Sequence, residues 1–252
     1  MSSGTRHSAL GTRLIAEVKA AAAGRLLVAF DLDGTLVRIT RHHGTATLRP
    51  STRELLRRVA ERYPTVVLTG RSRKDAAARL RGIGLAGIVG NHGLETGARH
   101  ERARACVRRW MTALAHQLPA SGVSVEDKGE TMAIHFRGAR HPAETRRLIA
   151  RALATLSPRP RIVGGKALFN VLPDVGVHKG TALRHQMRLR RARRAVFVGD
   201  DLTDEDVFRL PRSAGVVTVR VGRSRRSLAR FSIPSQRYID DLLRALIDAG
   251  RE

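Results

Sequence analysis

The sequence predicts an α/β protein: a doubly wound, Rossmann-like parallel-sheet core with a smaller α+β cap inserted into it. Three observations carry this prediction. Five short runs are almost wholly apolar, which suits parallel strands covered on both faces. Helix-like segments separate several of those runs, as crossover connections require. Between residues 100 and 173 the pattern gives way to alternating segments with turn signals, and the first pattern then resumes.

The elements follow in order. Residues 1–24 read as an N-terminal extension with a helix over "LIAEVKAAAA". This stretch has no compact apolar h-region, and Glu17 with the helical run favours an ordinary leading helix over a targeting segment. The core is expected over 25–99 and 174–252. Its first half reads as the strand "RLLVAFDLD", the helix "PSTRELLRRVAERY" with Pro50 near its start, the strand "TVVLTG", the helix "SRKDAAARLRGIG" and the strand "GIVGNHG". The cap, 100–173, begins with the helix-like "ARACVRRW", in which Cys106 reads as a small core residue. "GVSVEDKGETMAIHFRG" alternates and turns at Lys128–Gly129, a hairpin. "HPAETRRLIARALATL" reads as a helix and "RIVGGKALFNVLP" as a second hairpin around Gly164–Gly165. The core resumes with the helix "HKGTALRHQMRL" and the strands "RAVFVGDD" and "GVVTVRVG".

Composition limits the partners. The chain has 252 residues, 42% of them hydrophobic, enough for one large core with a smaller companion. A lone cysteine forbids an intrachain disulfide and points to a reducing, cytoplasmic setting. No run approaches the ~18 apolar residues of a membrane span. The net charge of +25 raises the question of nucleic acid, yet only five of the 47 basic residues are lysine and the arginines are spread along the helices. Local clusters occur at 188–194 and 223–230 without the interleaved aromatics that a stacking platform needs. No specific nucleic-acid partner is expected, only weak binding at low salt. We expect a monomer.

The polar residues that carry chemistry fall where the strands end, which is where open α/β sheets bind ligands. Asp31 and Asp33 follow the first strand; Thr69, Gly70 and Arg71 follow the second. Asn91 and His92 follow the third, and Asp200, Asp201 and Asp204 the fourth. Seven of the 22 acids lie in two short stretches of a strongly basic chain. Taken singly, "DLDGT" is also a strand entering an Asp-Gly turn. "GDDLTDEDVF" is also a helix start capped by Thr203 or Asp204. Taken together, two acid-ended strands repel one another unless a hard divalent cation lies between them. Mg²⁺ suits such oxygen ligands, with phosphate as a further ligand. Lys179 opens a predicted helix, where its charge opposes the dipole, so a site-directed role is favoured over a solvated face. "GIGLAG" at 82–87 matches a dinucleotide pattern, but it follows a helix and enters a strand, the reverse of the arrangement nicotinamide binding needs.

The ordered set "DLDGTL", "LTGR", Lys179 in "HKGTAL" and "GDDLTDED" resembles the four motifs of the haloacid dehalogenase superfamily of phosphatases. The strings "GNHGLE", "VEDKGETMAIHFR", "KGTAL" and "VGDDLTDEDVF" are most similar to the trehalose-6-phosphate phosphatases, from about residue 25 onward. The resemblance implies a sugar-phosphate substrate and a Mg²⁺-dependent phosphatase. Asp31 would be the nucleophile that becomes an aspartyl phosphate, and Asp33 the general acid and base, its pKa raised by neighbouring carboxylates. Thr69 and Lys179 would hold the phosphoryl oxygens. Asp31, the Asp33 carbonyl and Asp200 would hold the metal, with Asp204 nearby. Gly70, Arg71, Asn91 and His92 would line the substrate site, though a structural histidine is the alternative for His92. Glu126 and Lys128 share one strand face and are candidates for the sugar hydroxyls, an exposed ion pair being the alternative. Closure of the cap would exclude water before attack. One departure stands out: where the family carries "E-x-R-P", this chain has "NVLP", with Asn170 and Leu172. The sugar is therefore open between trehalose 6-phosphate, sucrose 6-phosphate and other sugar phosphates. A basic nucleic-acid binder and an inactive scaffold are more distant readings.

Overall fold

The computed structural model describes residues 10–39, 47–95, 99–118, 121–165 and 167–250; the first nine residues of the expected N-terminal extension lie outside these. The chain divides into two compact units, Met1–Gly93 with His178–Glu252, and Leu94–Val177. The first unit begins with α1 (Thr12–Ala22), β1 (Leu26–Phe30), α2 (Pro50–Arg62), β2 (Thr65–Leu68), α3 (Arg73–Arg79) and β3 (Gly87–Val89). The inserted unit holds α4 (Arg99–Leu114), β4 (Ser124–Asp127), β5 (Met132–His135), α5 (Pro142–Ala154), β6 (Pro160–Gly165) and β7 (Leu168–Pro173). The first unit is completed by α6 (Lys179–Leu189), β8 (Arg194–Gly199), α7 (Glu205–Phe208), β9 (Val216–Val221), β10 (Phe231–Ile233) and α8 (Ile239–Ala249).

The core sheet is parallel throughout, in the order β10-β9-β8-β1-β2-β3. Strand β1 explains the apolar run that announces it. Leu26, Val28 and Phe30 point into one cluster, with Leu14 and Val18 of α1 and Leu242 and Leu246 of α8. Leu27 and Ala29 point into the opposite cluster, with Leu183 of α6 and Phe208 of α7. All five are buried, and each large side chain contributes roughly 1.5–3 kcal/mol by leaving water. A strand covered on both faces has no room for a polar alternation.

From β1 the chain runs outward through β2 to β3, then returns to β8 on the other side of β1. That reversal makes the β1/β8 boundary the switch point of the sheet, where loops leave in opposite directions and open a crevice. Asp31 and Asp200 are the residues that leave these two strands.

Two elements lie beyond the sequence-based expectation. Strand β10 has only three residues, too few to show a period. Helix α8 buries Ile239, Leu242, Leu243, Leu246 and Ile247 on one stripe. Its Asp240 is buried and accepts from Thr52 Oγ1 at 2.6 Å, Ser51 Oγ at 2.9 Å and Arg49 Nη2 at 3.0 Å. The acid thereby ties the start of α2 to the start of α8 and complements both dipoles.

In the inserted unit an antiparallel sheet runs β4-β5-β7-β6, so both expected hairpins form. Met132, Ile134, Phe169 and Val171 face α4 and α5 in a separate core around Trp110, whose Nε1 donates to the Pro158 carbonyl at 2.9 Å. Cys106 is half-buried against this core. Among the described residues no helix is long and apolar enough to cross a membrane.

Candidate active site

Asp31 follows β1 directly, and its amide donates to the Val198 carbonyl of β8 at 2.8 Å, so the ladder continues to the residue itself. The residue is 4% exposed. Lys179 Nζ donates to Asp31 Oδ1 at 2.6 Å and to Asp204 Oδ1 at 2.7 Å. The lysine is 2% exposed and stands at the first position of α6. His178 caps that helix: its Nδ1 accepts from the amides of Gly180 and Thr181, and the Thr181 hydroxyl receives the His178 amide in return. The reciprocal cap fixes where the lysine begins.

The loop after β8 folds around Asp204. Its Oδ2 accepts from the amides of Asp200 and Asp201, each at 2.9 Å, and the residue is fully buried. The alternative reading of this stretch has Thr203 or Asp204 capping the short helix α7; Asp204 does stand at the N-cap position, but its side chain makes no cap hydrogen bond there. It turns back to organise the loop that precedes it. Gly199 permits this, since a Cβ there would overlap the Asp204 carboxylate. Gly34 does the same for Asp200: its φ is +94°, and a Cβ on it would collide with the Asp200 carboxylate. Thr35 Oγ1 then donates to Asp200 Oδ1 at 3.1 Å.

Oxygens of Asp31, Asp200 and Asp204 all lie within 4.8 Å of one another. Burial first, then the nearby acids Asp204 and Asp201, pushes Asp200 up to about 7. Burial also holds Asp31 well above the usual carboxylate range, with Lys179 opposing and Asp204 and Asp200 adding to the rise. Burial works against the charge of Lys179, yet Asp204 and Asp31 more than offset it and hold the ammonium firmly protonated. Three acids facing one cation leave an excess of negative charge, which a divalent ion would neutralise.

Asp33 is surrounded differently from the expectation. Its neighbour is a guanidinium and not a group of carboxylates: Arg71 Nε and Nη2 reach Asp33 Oδ2 and Oδ1 at 2.5 and 2.6 Å. Arg71 Nη1 also reaches Asp75 at 2.7 Å, and Asp75 accepts from Arg79 at 3.1 Å. Sequence reasoning missed Asp75, although the i, i+4 spacing of Arg71, Asp75 and Arg79, from the loop before α3 to its last residue, is a legible signal. It also missed Thr35. Thr69 is buried, with its Oγ1 accepting the Arg71 amide at 3.1 Å. The Thr69 carbonyl accepts from the His92 amide at 2.9 Å, which joins the loops after β2 and β3. Asn91 and His92 both adopt positive φ, at 44° and 57°, and the His92 ring lies against Gly70, where a Cβ would overlap it.

Glu126 and Lys128 belong to the inserted unit. Lys128 Nζ lies 3.8 Å from Glu126, and His135 Nε2 lies 2.8 Å from the same Glu126 oxygen. Asn170 and Leu172 alternate with Phe169 and Val171 along β7, so they share the face turned away from that unit's core.

The geometry invites comparison with known proteins. A trehalose-phosphatase family model matches residues 29–235. The trehalose-phosphate phosphatase of Mycobacterium tuberculosis (strain H37Rv) is 34% identical over 211 residues, covering 76% of this chain and 53% of that protein. The chain thus spans about half the length of that curated relative. An uncharacterized glycosyl hydrolase of the same strain is 31% identical over 242 residues, covering 88% of this chain but 18% of the relative. Among solved structures, the C-terminal domain of the C. albicans trehalose-6-phosphate phosphatase superposes with a TM-score of 0.71 at 20% identity, covering 97% of this chain and 99% of that one. The Aspergillus fumigatus trehalose-6-phosphate phosphatase gives 0.64 at 22% identity, with 93% and 97% covered. The structures speak for the fold. The family match runs from β1, through the inserted unit, to the far edge of the sheet, and the chain belongs to the trehalose-phosphatase family.

Proposed function

We propose that the chain is a Mg²⁺-dependent phosphatase that hydrolyses trehalose 6-phosphate to trehalose through an aspartyl-phosphate intermediate. The observation that carries this is the buried Lys179 bridging Asp31 and Asp204, with Asp200 alongside at the switch point of the sheet. Such a cluster of all-oxygen donors, with two of its acids pushed up by burial and mutual repulsion, fits a hard cation. Asp31, Asp200 and the Asp33 carbonyl would hold Mg²⁺. The ion would supply positive charge to the phosphoryl oxygens and favour the ionised form of Asp31.

A carboxylate oxygen of Asp31 attacks phosphorus, and the bond from phosphorus to the sugar oxygen breaks. Asp33 gives its proton to that oxygen. In the second step Asp33 takes a proton from water as the water oxygen attacks phosphorus. The Asp31–phosphorus bond then breaks and inorganic phosphate leaves. Lys179 and Thr69 stabilise the charge on the phosphoryl oxygens. Asp204 acts as a positioning residue, holding Lys179 with one oxygen and the Asp200 loop with the other. Arg71 positions Asp33.

We assign Gly70, Asn91 and His92 to the lining of the substrate site, and Glu126 and Lys128 to the sugar hydroxyls. The inserted unit is read as the cap domain. Asn170 and Leu172, where the family carries other residues, support a second reading in which the substrate is a different sugar phosphate. The lone cysteine supports a cytoplasmic setting, and we take the protein to be a monomer. Phosphate release from trehalose 6-phosphate, sucrose 6-phosphate and glucose 6-phosphate, with and without chelator, decides. Trehalose 6-phosphate should be the fastest, with Mg²⁺ restoring what chelator removes. Turnover in chelator, or full turnover by Asp31→Asn, would overturn the mechanism.

A further inference from the structure

The end of α6 opposite Lys179 holds a feature that hydrolysis does not use. A cavity of about 540 Å³ opens between the last turns of α6 and the segment before β9, a volume typical of small-molecule sites. Arg184, Arg188, Arg191 and Arg193 line it over an apolar floor that includes Met187 and Leu210. On α6 its lining starts at Arg184, about 7.5 Å along the axis from Lys179 at ~1.5 Å per residue, and continues past the end of the helix to Arg191. It shares no lining residue with the acidic cluster.

Two features bear on what the cavity could hold. The first is that four exposed guanidinium groups meet around one mouth with no acceptor among them. Some arginines of this unit are tied to acceptors, as Arg71 is to Asp33 and Arg220 to Glu205, while others are solvated singly. Among the described residues, no carboxylate or carbonyl pairs with the side chains of Arg184, Arg188, Arg191 or Arg193, and no acid lines the cavity. The second is the backbone of Arg191. It lies just past the end of α6 at φ +52°, the left-handed position where helices favour glycine. The turn is otherwise the usual one, with the Ala192 amide on the Met187 carbonyl at 2.9 Å. Favourable interaction with the helix dipole accounts for a basic residue in the last turn, but not for one placed where a side chain is strained.

We propose that this cavity binds an organic polyphosphate, with the phosphates on the guanidinium groups and a planar, weakly polar ring on the Met187 and Leu210 floor. Guanidinium forks match phosphate oxygens in pairs, and four of them around one mouth favour a multiply charged ligand over a single phosphate. The floor distinguishes an organic ligand from a bare polyanion.

Calorimetric titration of the intact chain at physiological salt without divalent cation tests this, using ATP, tripolyphosphate, adenosine and a DNA dodecamer as probes. ATP should bind at least about tenfold tighter than adenosine and tripolyphosphate, a difference the tenfold steps of affinity make easy to resolve. Arg188→Ala with Arg191→Gly should weaken ATP by a further factor of about ten or more while leaving phosphate release from the sugar phosphate unchanged. Arg191→Gly alone should not lower the melting temperature, because glycine relieves the left-handed strain. Asp31→Asn should leave ATP binding intact. Equal binding of ATP and tripolyphosphate, a DNA dodecamer that outcompetes ATP, or a double variant that binds ATP like the parent would each overturn the proposal.

Discussion

The guanidinium of Arg71 grips both carboxylate oxygens of Asp33, at 2.5 and 2.6 Å, while its third nitrogen is held by Asp75 at 2.7 Å. The proposed acid and base of the reaction is thus held by the loop before α3, itself tied to Asp75 of that helix, before any substrate arrives. Arg71→Ala should lower kcat, by up to about the 10²-fold that a positioned acid contributes, with little change in KM. Arg71→Lys should not restore it, because an ammonium cannot make the paired contact. Asp75→Asn should have a smaller effect in the same direction. Steady-state phosphate release separates this from direct substrate contact, which would appear as a raised KM at constant kcat.

Lys179 is a buried cation between two buried acids. Lys179→Met removes the cation and leaves Asp31 and Asp204 unpaired, a loss of about 3–5 kcal/mol in the metal-free protein. Urea denaturation measures it. Activity should fall by at least about 10²-fold, since the group also stabilises developing charge. Retained activity in a stably folded Lys179→Met would contradict the assigned role.

Much of this site was legible in the sequence because its parts sit at strand ends, and strand ends are marked by long apolar runs. The acids of "DLDGT" and "GDDLTDED" stand out for the same reason: nothing apolar hides them. What was not legible is pairing. The sequence cannot say that Asp33 faces Arg71 instead of other acids, because that depends on how two loops from neighbouring strands meet. Nor does it distinguish an Asp204 that caps α7 from one that turns back onto Gly199, since both conformations suit the same residues. Strand β10 escaped because three residues carry no period; α8 was missed although its apolar stripe at Ile239, Leu242, Leu243, Leu246 and Ile247 is legible in the sequence. In the inserted unit the hairpins were readable from their turns, but the His135 contact with Glu126 depends on register between β4 and β5.

Gly34 and Gly82 offer a matched pair. Both have positive φ, +94° and +80°, but only Gly34 has a neighbour in the path of a Cβ, the Asp200 carboxylate. Gly82→Ala should show the backbone strain alone, about 1–3 kcal/mol by urea denaturation. Gly34→Ala should show comparable strain and also displace Asp200, so that Mg²⁺ affinity falls while Gly82→Ala leaves it unchanged. Equal Mg²⁺ affinity in the two variants would mean that Asp200 is not a ligand.

Proton linkage gives the last prediction its sign. Asp200 is pushed up to about 7, first by burial and then by Asp204 and Asp201, whereas an aspartate in the unfolded chain titrates near ~3.9. Between those values the folded state holds a proton that the unfolded state releases. The contribution of this group to the stability of the metal-free protein is therefore greatest at the acid end of that window. It falls as pH rises towards 7, by something on the order of 4 kcal/mol. Asp31 is raised for the same first reason and acts in the same direction. Asp200→Asn cannot ionise, so in chelator it should gain stability relative to the parent as pH is raised from 5 to 8. Mg²⁺ inverts the pattern. Binding requires the ionised acid, so affinity should rise by up to about tenfold per pH unit below 7 and level off above it. Calorimetric Mg²⁺ titrations across this range, beside urea melts of both proteins in chelator, measure the two halves. A flat Mg²⁺ affinity between pH 5.5 and 8 would show that no ligand loses a proton near neutrality on binding, and would contradict a metal site in which a raised Asp200 takes part.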